Sequence, residues 1–216
     1  MNLLIIGAPG AGKGTMSDLI LKNFPLVHVS TGDMLRAAVK NGTEVGLKAQ
    51  EYMNKGELVP DEVIHDIIVE RLSQDDIDNG FLFDGYPRTG AQAEDLDVIL
   101  KQIGKKIDCV INLQIADEEL IKRITGRRLC PNCGEIYNIY FFAPEKEGVC
   151  NKCGGELIQR KDDNLESLQV RLAEYHKNTQ PVIEYYEAMD LVRHVDASRG
   201  IDEVFDDVKS ILEGLC

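Results

Sequence analysis

Long apolar runs are missing from this 216-residue sequence, although 44% of its residues are hydrophobic. The run at residues 3–6 is too short for a membrane span or a signal-peptide core, and Met1 leads directly into it. The expectation is therefore a cytoplasmic chain with no membrane partner. Positive charge is scarce as well: 24 Lys and Arg stand against 37 Asp and Glu, a net charge of −13. A protein whose main partner is nucleic acid needs a basic face, so that class is disfavoured, and any local basic cluster gains meaning. Histidine is limited to His28, His65, His176 and His194, with no obvious catalytic one among them, and they read as structural or exposed. There is no internal repeat and no low-complexity segment. A chain of this length can bury a full core, as one domain with excursions or as two small domains.

What is present is an alternation of short apolar runs with helical patterns from end to end, the signature of a parallel sheet with helices on both faces. Strands are predicted at residues 3–6, 26–29, 81–83, 109–113 and 191–195. Helices are predicted at 13–23, 31–40, 43–55, 61–72, 89–103, 117–124, 165–188 with a kink at Pro181, and 201–215. Two segments break the rhythm. Residues 30–59 place two short helices before Pro60, with Gly42, Gly46 and Gly56 as flexible points. Residues 127–163 carry cysteines and aromatics and are too long for a plain loop. Both excursions emerge where open α/β sheets bind ligands, at strand C-terminal ends, and read as lids over such a site.

The strongest motif follows the first strand: Gly7-Ala8-Pro9-Gly10-Ala11-Gly12-Lys13-Gly14-Thr15. Glycines at 7, 10, 12 and 14 let successive backbone N–H groups curl round an anion, and Lys13 adds a mobile positive charge. The spacing is that of a P-loop up to the last position, where Gly14 replaces the usual Ser or Thr and Thr15 follows. Cys130-Pro131-Asn132-Cys133 and Cys150-Asn151-Lys152-Cys153 are two C-x-x-C pairs separated by sixteen residues. That is the spacing of two knuckles sharing one zinc ion. Four thiolates at Cys130, Cys133, Cys150 and Cys153 leave no open coordination position, so such a metal is structural; iron, disulfides or an empty thiol cluster are the alternatives. Cys109 reads as a small buried hydrophobe and Cys216 as a free thiol.

Taken in order, Gly7 to Thr15, Ser30-Thr31-Gly32-Asp33-Met34-Leu35-Arg36, Asp84-Gly85-Tyr86-Pro87-Arg88-Thr89, Gly126-Arg127-Arg128, Arg160-Lys161-Asp162-Asp163 and Arg171-Leu172 resemble the adenylate kinases. The likeness spans nearly the whole chain and is to the long-lid, zinc-bearing bacterial type of these nucleoside monophosphate kinases. It implies a monomer in three parts: a P-loop core at residues 1–29, 60–126 and 164–216, a nucleoside-monophosphate-binding insertion at 30–59, and a zinc-binding lid at 127–163. It also implies reversible phosphoryl transfer between MgATP and AMP to give two ADP, with Mg2+ and structural Zn2+ as cofactors.

Phosphoryl transfer needs positive charge converging on spread-out negative charge, and planar guanidinium groups suit it. The candidates beside these motifs are Arg36, Arg88, Arg123, Arg127, Arg160 and Arg171. Arg123 and Arg127 are four apart, so one helical face can present both, although Arg123 could equally pair with Glu119. Arg71, Arg128 and Arg193 read as surface residues. Lys13, Arg88, Arg123, Arg160 and Arg171 are the expected catalytic set. No general base is required, because an acceptor phosphate is already ionised. Asp84 and Asp33 are expected to hold magnesium through water, with the first-turn charge of a helix as the competing role for Asp33. The resemblance carries the ATP site onto Gly10, Ala11, Gly12, Lys13, Gly14, Thr15, Arg127, Ile136, Tyr137 and a backbone group of Arg199. It carries the AMP site onto Thr31, Arg36, Glu57, Leu58, Val59, Gly85, Tyr86, Pro87, Arg88, Gln92, Arg160 and Arg171. The Gln92 amide can offer a donor and an acceptor to an adenine edge. Rival readings are a kinase for another monophosphate, a zinc-ribbon nucleic-acid-binding NTPase and a non-catalytic nucleotide sensor. Glutamates 135, 145, 147 and 156 around the cysteines speak against the second.

Overall fold

Leu3, Leu4, Ile5 and Ile6 are consecutive apolar residues, a pattern that suits a strand covered on both faces. In a computed structural model that describes residues 1–215, they form the middle of β1 (Asn2–Gly7), and all four are buried. Cys216 lies outside the described residues. β1 pairs in parallel with β3 (Phe81–Asp84) on one side and with β4 (Cys109–Gln114) on the other. β2 (Val27–Ser30) and β7 (Val192–Asp196) extend the sheet to the order β2-β3-β1-β4-β7 among the described residues.

Because side chains alternate along a strand, each one feeds two cores. Leu4, Ile6, Phe81, Phe83 and Val110 face α4 (Asp61–Leu72), α5 (Gly90–Gln102) and α8 (Gln180–Glu187). Leu3, Ile5, Leu82, Cys109 and Ile111 face α1 (Lys13–Asn23) and α9 (Ile201–Glu213). Truncating a fully buried leucine such as Leu4 costs about 2–5 kcal/mol. Cys109 is 1% exposed in this core, and burial pushes its thiol up to about 11, so it behaves as a small hydrophobe.

The first excursion holds α2 (Thr31–Lys40) and α3 (Glu44–Lys55), capped by Ser30 and Thr43. Gly46 is not a flexible point as expected from sequence. It lies inside α3, where a Cβ would sit 2.2 Å from the Ala38 carbonyl, so the two helices meet backbone to backbone there. The second excursion contains two strands that periodicity missed: β5 (Arg127–Leu129) pairs antiparallel with β6 (Ile136–Asn138). Three residues each are too short to show an alternation. A 3-10 turn at Asp75–Asn79 was likewise not foreseen.

Two further expectations are corrected. α6 (Asp117–Thr125) ends before Arg127, so Arg123 lies on a helix and Arg127 on β5, and no single helical face presents both. The helix expected at 165–188 is divided into α7 (Leu165–Glu174), a π-turn at Tyr175–Thr179, and α8. Pro181 sits harmlessly in the first turn of α8; the widened turn upstream absorbs the N–H that proline cannot donate and the bulk of its ring. All strands of the main sheet run the same way. Their C-terminal ends, at Gly7, Ser30, Asp84, Gln114 and Asp196, therefore gather the following loops along one edge.

Candidate active site

The loop after β1 ends at Gly12, the residue before α1. Glycine offers no side chain to cap the helix, and the first turn carries no acidic residue. The N–H groups of Lys13, Gly14 and Thr15 therefore form a positive helix end with no carboxylate of its own to neutralise it. Lys13 Nζ donates to the carbonyls of Gly7 (2.7 Å) and Ala8 (3.2 Å). Burial pulls its ammonium down to about 8, Asp84 opposes this, and Arg88, Arg171 and Arg127 reinforce it.

Across an open cleft lined among others by Pro9, Lys13, Leu58, Gly85 and Arg171 stands a set of guanidinium groups. Arg88 leaves the loop after β3. Its Nε donates to Gly85 O (2.7 Å), and its carbonyl accepts from Thr179 Oγ1 (3.0 Å). Gly85 has φ +79° and also accepts from Thr31 Oγ1 (2.8 Å). A Cβ there would lie 3.0 Å from Arg88 Nη2 and 3.3 Å from Thr31 Oγ1, so backbone strain and the site both require glycine. Enclosure in the cleft, and next the like charge of Arg171, lower Arg88 to about 10. Burial, then Arg127 and Arg36, lower Arg160 to about 10, and its Nε is buried with no partner among the described residues. Arg171 is lowered by burial too, with Asp162, at 3.0 Å, opposing. These cations crowd one another, and such crowding is relieved by an anion.

The other charges have specific partners. Arg36 bonds Asp33 (2.6 Å), whose carboxyl is held below its usual range by Arg36 and Ser30 against the opposing effect of burial. Arg127 forks onto the carboxylate of Asp163, which is 0% exposed. Arg123 donates to Ala197 O (2.8 Å) and lies beside Gly12, without the ion pair to Glu119 that its spacing allowed. Arg71 pairs with Asp76, and Arg128 and Arg193 bond nearby carbonyls; all three are half-buried, where surface residues were expected, because these partners draw their guanidinium groups down onto the fold. His65, His176 and His194 meet Asp95, Asp117 and Glu187, while His28 stands 3.9 Å from Asp84.

In the second excursion the Sγ atoms of Cys130, Cys133, Cys150 and Cys153 all lie within 4.8 Å of one another. The pairs Cys130–Cys153 and Cys133–Cys150 are 3.4 and 3.5 Å apart, and none of the four is in a disulfide. Those separations approach the edge of a tetrahedron with metal–sulfur bonds of about 2.3 Å, so the thiol set fits zinc. Cys130 and Cys150, with Tyr137 and Leu157, are this segment's own small core.

A sequence model described as Adenylate kinase matches residues 5–191. The chain belongs to the adenylate kinase family. It is 52% identical to the adenylate kinase of Geobacillus sp. (strain WCH70), over 100% of both chains. It is 52% identical to that of Bacillus licheniformis, over 99% of each, and 50% identical to that of Archaeoglobus fulgidus, over 99% of this chain and 98% of that one.

Against the residues that the family resemblance singles out, the cleft brings together Lys13, Arg88 and Arg171, with Arg36 and Arg127 close enough to feel their charge, and Arg160 stands beside Arg127 and Arg36. Leu58 lines the cleft, whereas Val59 is buried. Tyr137, which the resemblance places beside the ATP base, turns its side chain inward. Its ring is 2% exposed, stacks on Phe142 and bonds Cys150 and Asn151, because a large aromatic is needed to fill a core of four residues. The Arg199 side chain bonds Asp207 and lies 3.9 Å from Asp196. Ile136 is half-buried on β6. Sequence reasoning assigned no role to Asp162 and Asp163, which anchor Arg171 and Arg127; their place directly after Arg160 was the available signal.

Proposed function

We propose that this chain catalyses reversible phosphoryl transfer between MgATP and AMP, giving two ADP, as its family does. The observation that carries this is the convergence of buried or enclosed cations, Lys13, Arg88 and Arg171 on one cleft and Arg160 beside Arg127 and Arg36, each held below its ordinary value by burial and by like charges next to it. A surface ion-pair network does not leave a buried guanidinium Nε unpartnered, as Arg160 is.

On this reading Gly10, Ala11, Gly12, Lys13, Gly14 and Thr15 hold the donor phosphates through backbone N–H groups and the ammonium. Thr31, Arg36, Arg88, Arg160 and Arg171 hold the acceptor phosphate, and Glu57, Leu58, Val59, Gly85, Tyr86, Pro87 and Gln92 border its nucleoside. Arg127, Ile136 and the backbones of Tyr137 and Arg199 border the donor base. An acceptor phosphate oxygen forms a bond to the terminal phosphorus of ATP as the bridging P–O bond breaks. No proton need move, which agrees with histidines that already face carboxylates. Lys13, Arg88, Arg123, Arg160 and Arg171 stabilise the equatorial charge, each contributing about 2.7–4 kcal/mol when removed singly.

Asp84 keeps its carboxylate free of hydrogen bonds to other described residues and faces Lys13; Asp33 spends one oxygen on Arg36 and retains the other. Both fit water-mediated holding of magnesium, which supplies further neutralisation of phosphate charge when bound. The four thiols fit structural zinc. The segments 1–29, 60–126 and 164–216 then form the core, 30–59 the acceptor insertion and 127–163 the zinc lid. Among the described residues no helix is long and apolar enough to cross a membrane. The acidic balance speaks against a nucleic-acid partner, and the family likeness supports a cytoplasmic monomer working on ATP, ADP and AMP. The test is ADP formation from ATP with AMP, GMP, CMP or UMP, run with elemental analysis of the same sample. Rapid turnover with AMP and about one zinc per chain, the ratio set by a single four-thiolate site, is expected; preference for another monophosphate would overturn the AMP assignment.

A further inference from the structure

The AMP reading rests the recognition of adenine on a side-chain amide, and an amide turned end for end presents the opposite pattern. Gln92 is buried in the first turns of α5, and both ends of its amide have partners. Its Oε1 accepts from the Arg88 backbone N–H at 2.7 Å, and its Nε2 donates to Asp61 Oδ1 at 2.5 Å. A backbone N–H can only donate and an ionised carboxylate can only accept, so these two neighbours allow one orientation of the amide. The second carboxylate oxygen of Asp61 is 3.4 Å from the hydroxyl of Thr89, and that hydroxyl accepts from the Gln92 backbone N–H at 3.1 Å. Asp61 thus holds the side chain of Gln92 directly and the helix turn carrying it through Thr89. Being the first residue of α4, it braces α5 from a separate element.

We propose that Asp61 is a positioning residue that sets the specificity for the acceptor base by locking the Gln92 amide. The proposal rests on the reading that Gln92 meets the base of AMP. Each end of the locked amide retains one capacity: the second N–H of Nε2 and the second lone pair of Oε1. Adenine offers an acceptor at N1 and a donor at N6, which this order satisfies. Hypoxanthine offers a donor at N1 and an acceptor at O6, which requires the amide reversed. Asparagine at position 61 can both donate and accept, so it removes one of the two constraints on the reversal while keeping the shape.

The experiment compares kcat/KM for AMP and for inosine monophosphate in the parent chain, Asp61→Asn and Gln92→Leu, with KM for ATP and the melting temperature of each. For Asp61→Asn, the AMP-to-inosine-monophosphate ratio is expected to fall about threefold to tenfold, the effect of one orienting hydrogen bond. KM for AMP should rise while KM for ATP stays unchanged. A purely structural role would lower the melting temperature and leave the ratio alone, and an unchanged ratio overturns the proposal. Asp61→Ser, which also both donates and accepts, carries the same expectation if the asparagine variant melts too low to assay. If Gln92→Leu keeps the parent ratio, the base-contact reading fails and the proposal falls with it; if Gln92→Leu collapses the ratio and the Asp61 variants do not, only the positioning role is refuted.

Discussion

Arg160→Ala should damage transfer while leaving the fold intact or improving it, because the side chain is stabilised by little in the free protein. Its Nε has no partner among the described residues, and it sits near the like charges of Arg127 and Arg36. Burial and those charges bring it to about 10. Relative to the ordinary guanidinium value, this corresponds to on the order of 3 kcal/mol against the charged folded form, which partial exposure and screening reduce to about 1 kcal/mol. Losing the methylene packing of the side chain offsets part of that gain. The melting temperature of the ligand-free variant should therefore lie between the parent value and about 4 °C above it. Transfer loses a preorganised charge directed at the moving phosphoryl group, a loss of about 10²–10⁴ in kcat. Coupled measurement of ADP production from ATP and AMP, beside a thermal melt of the same preparation, reads both quantities. Turnover within about threefold of the parent would refute the role in transfer. A melting temperature several degrees lower would refute the argument that Arg160 is held in place against repulsion.

Further outcomes follow from the same geometry. Lys13 titrates near 8 in the free protein, and a bound phosphate favours its charged form, so nucleotide binding should take up protons and weaken as pH rises through about 8. Calorimetry in two buffers of different ionisation enthalpy measures that uptake. The same lowering means the unfolded chain binds more protons than the folded one between about 8 and the ordinary lysine value near 10.5, so the Lys13 contribution makes the ligand-free fold more stable as pH rises across that window. Gly85→Ala forces a Cβ into a left-handed conformation 3.0 Å from Arg88 Nη2, and should cost about 1–2 kcal/mol in a denaturant titration as well as slowing transfer. Stripping metal from the four thiols should lower the melting temperature more than it lowers activity in the cold, since two of those cysteines and two other side chains make up the buried core of their segment. Complete loss of activity in a still-folded apoprotein would instead implicate the metal directly.

The sequence by itself determined whatever depends on local spacing. The glycine loop before α1, the apolar runs that became the central strands, the helices at 31–40 and 61–72, and the two thiol pairs were all legible, because neighbours along the chain set backbone conformation and ligand spacing. The strand boundaries moved by a residue or two, and the helix at 165–188 divided at a π-turn whose cause, the missing N–H of Pro181, was visible while its position was not. Only the tertiary structure decided which charges are committed and which are bare. Arg127 meets Asp163 36 residues away, Asp61 meets Gln92 31 residues away, and Arg123 meets Ala197 74 residues away. No periodicity encodes such pairings; they follow from parallel strands delivering distant loops to one edge of the sheet. The inward turn of Tyr137 was hidden for a related reason, since a four-residue core needs its ring and only the closed thiol cluster reveals that core.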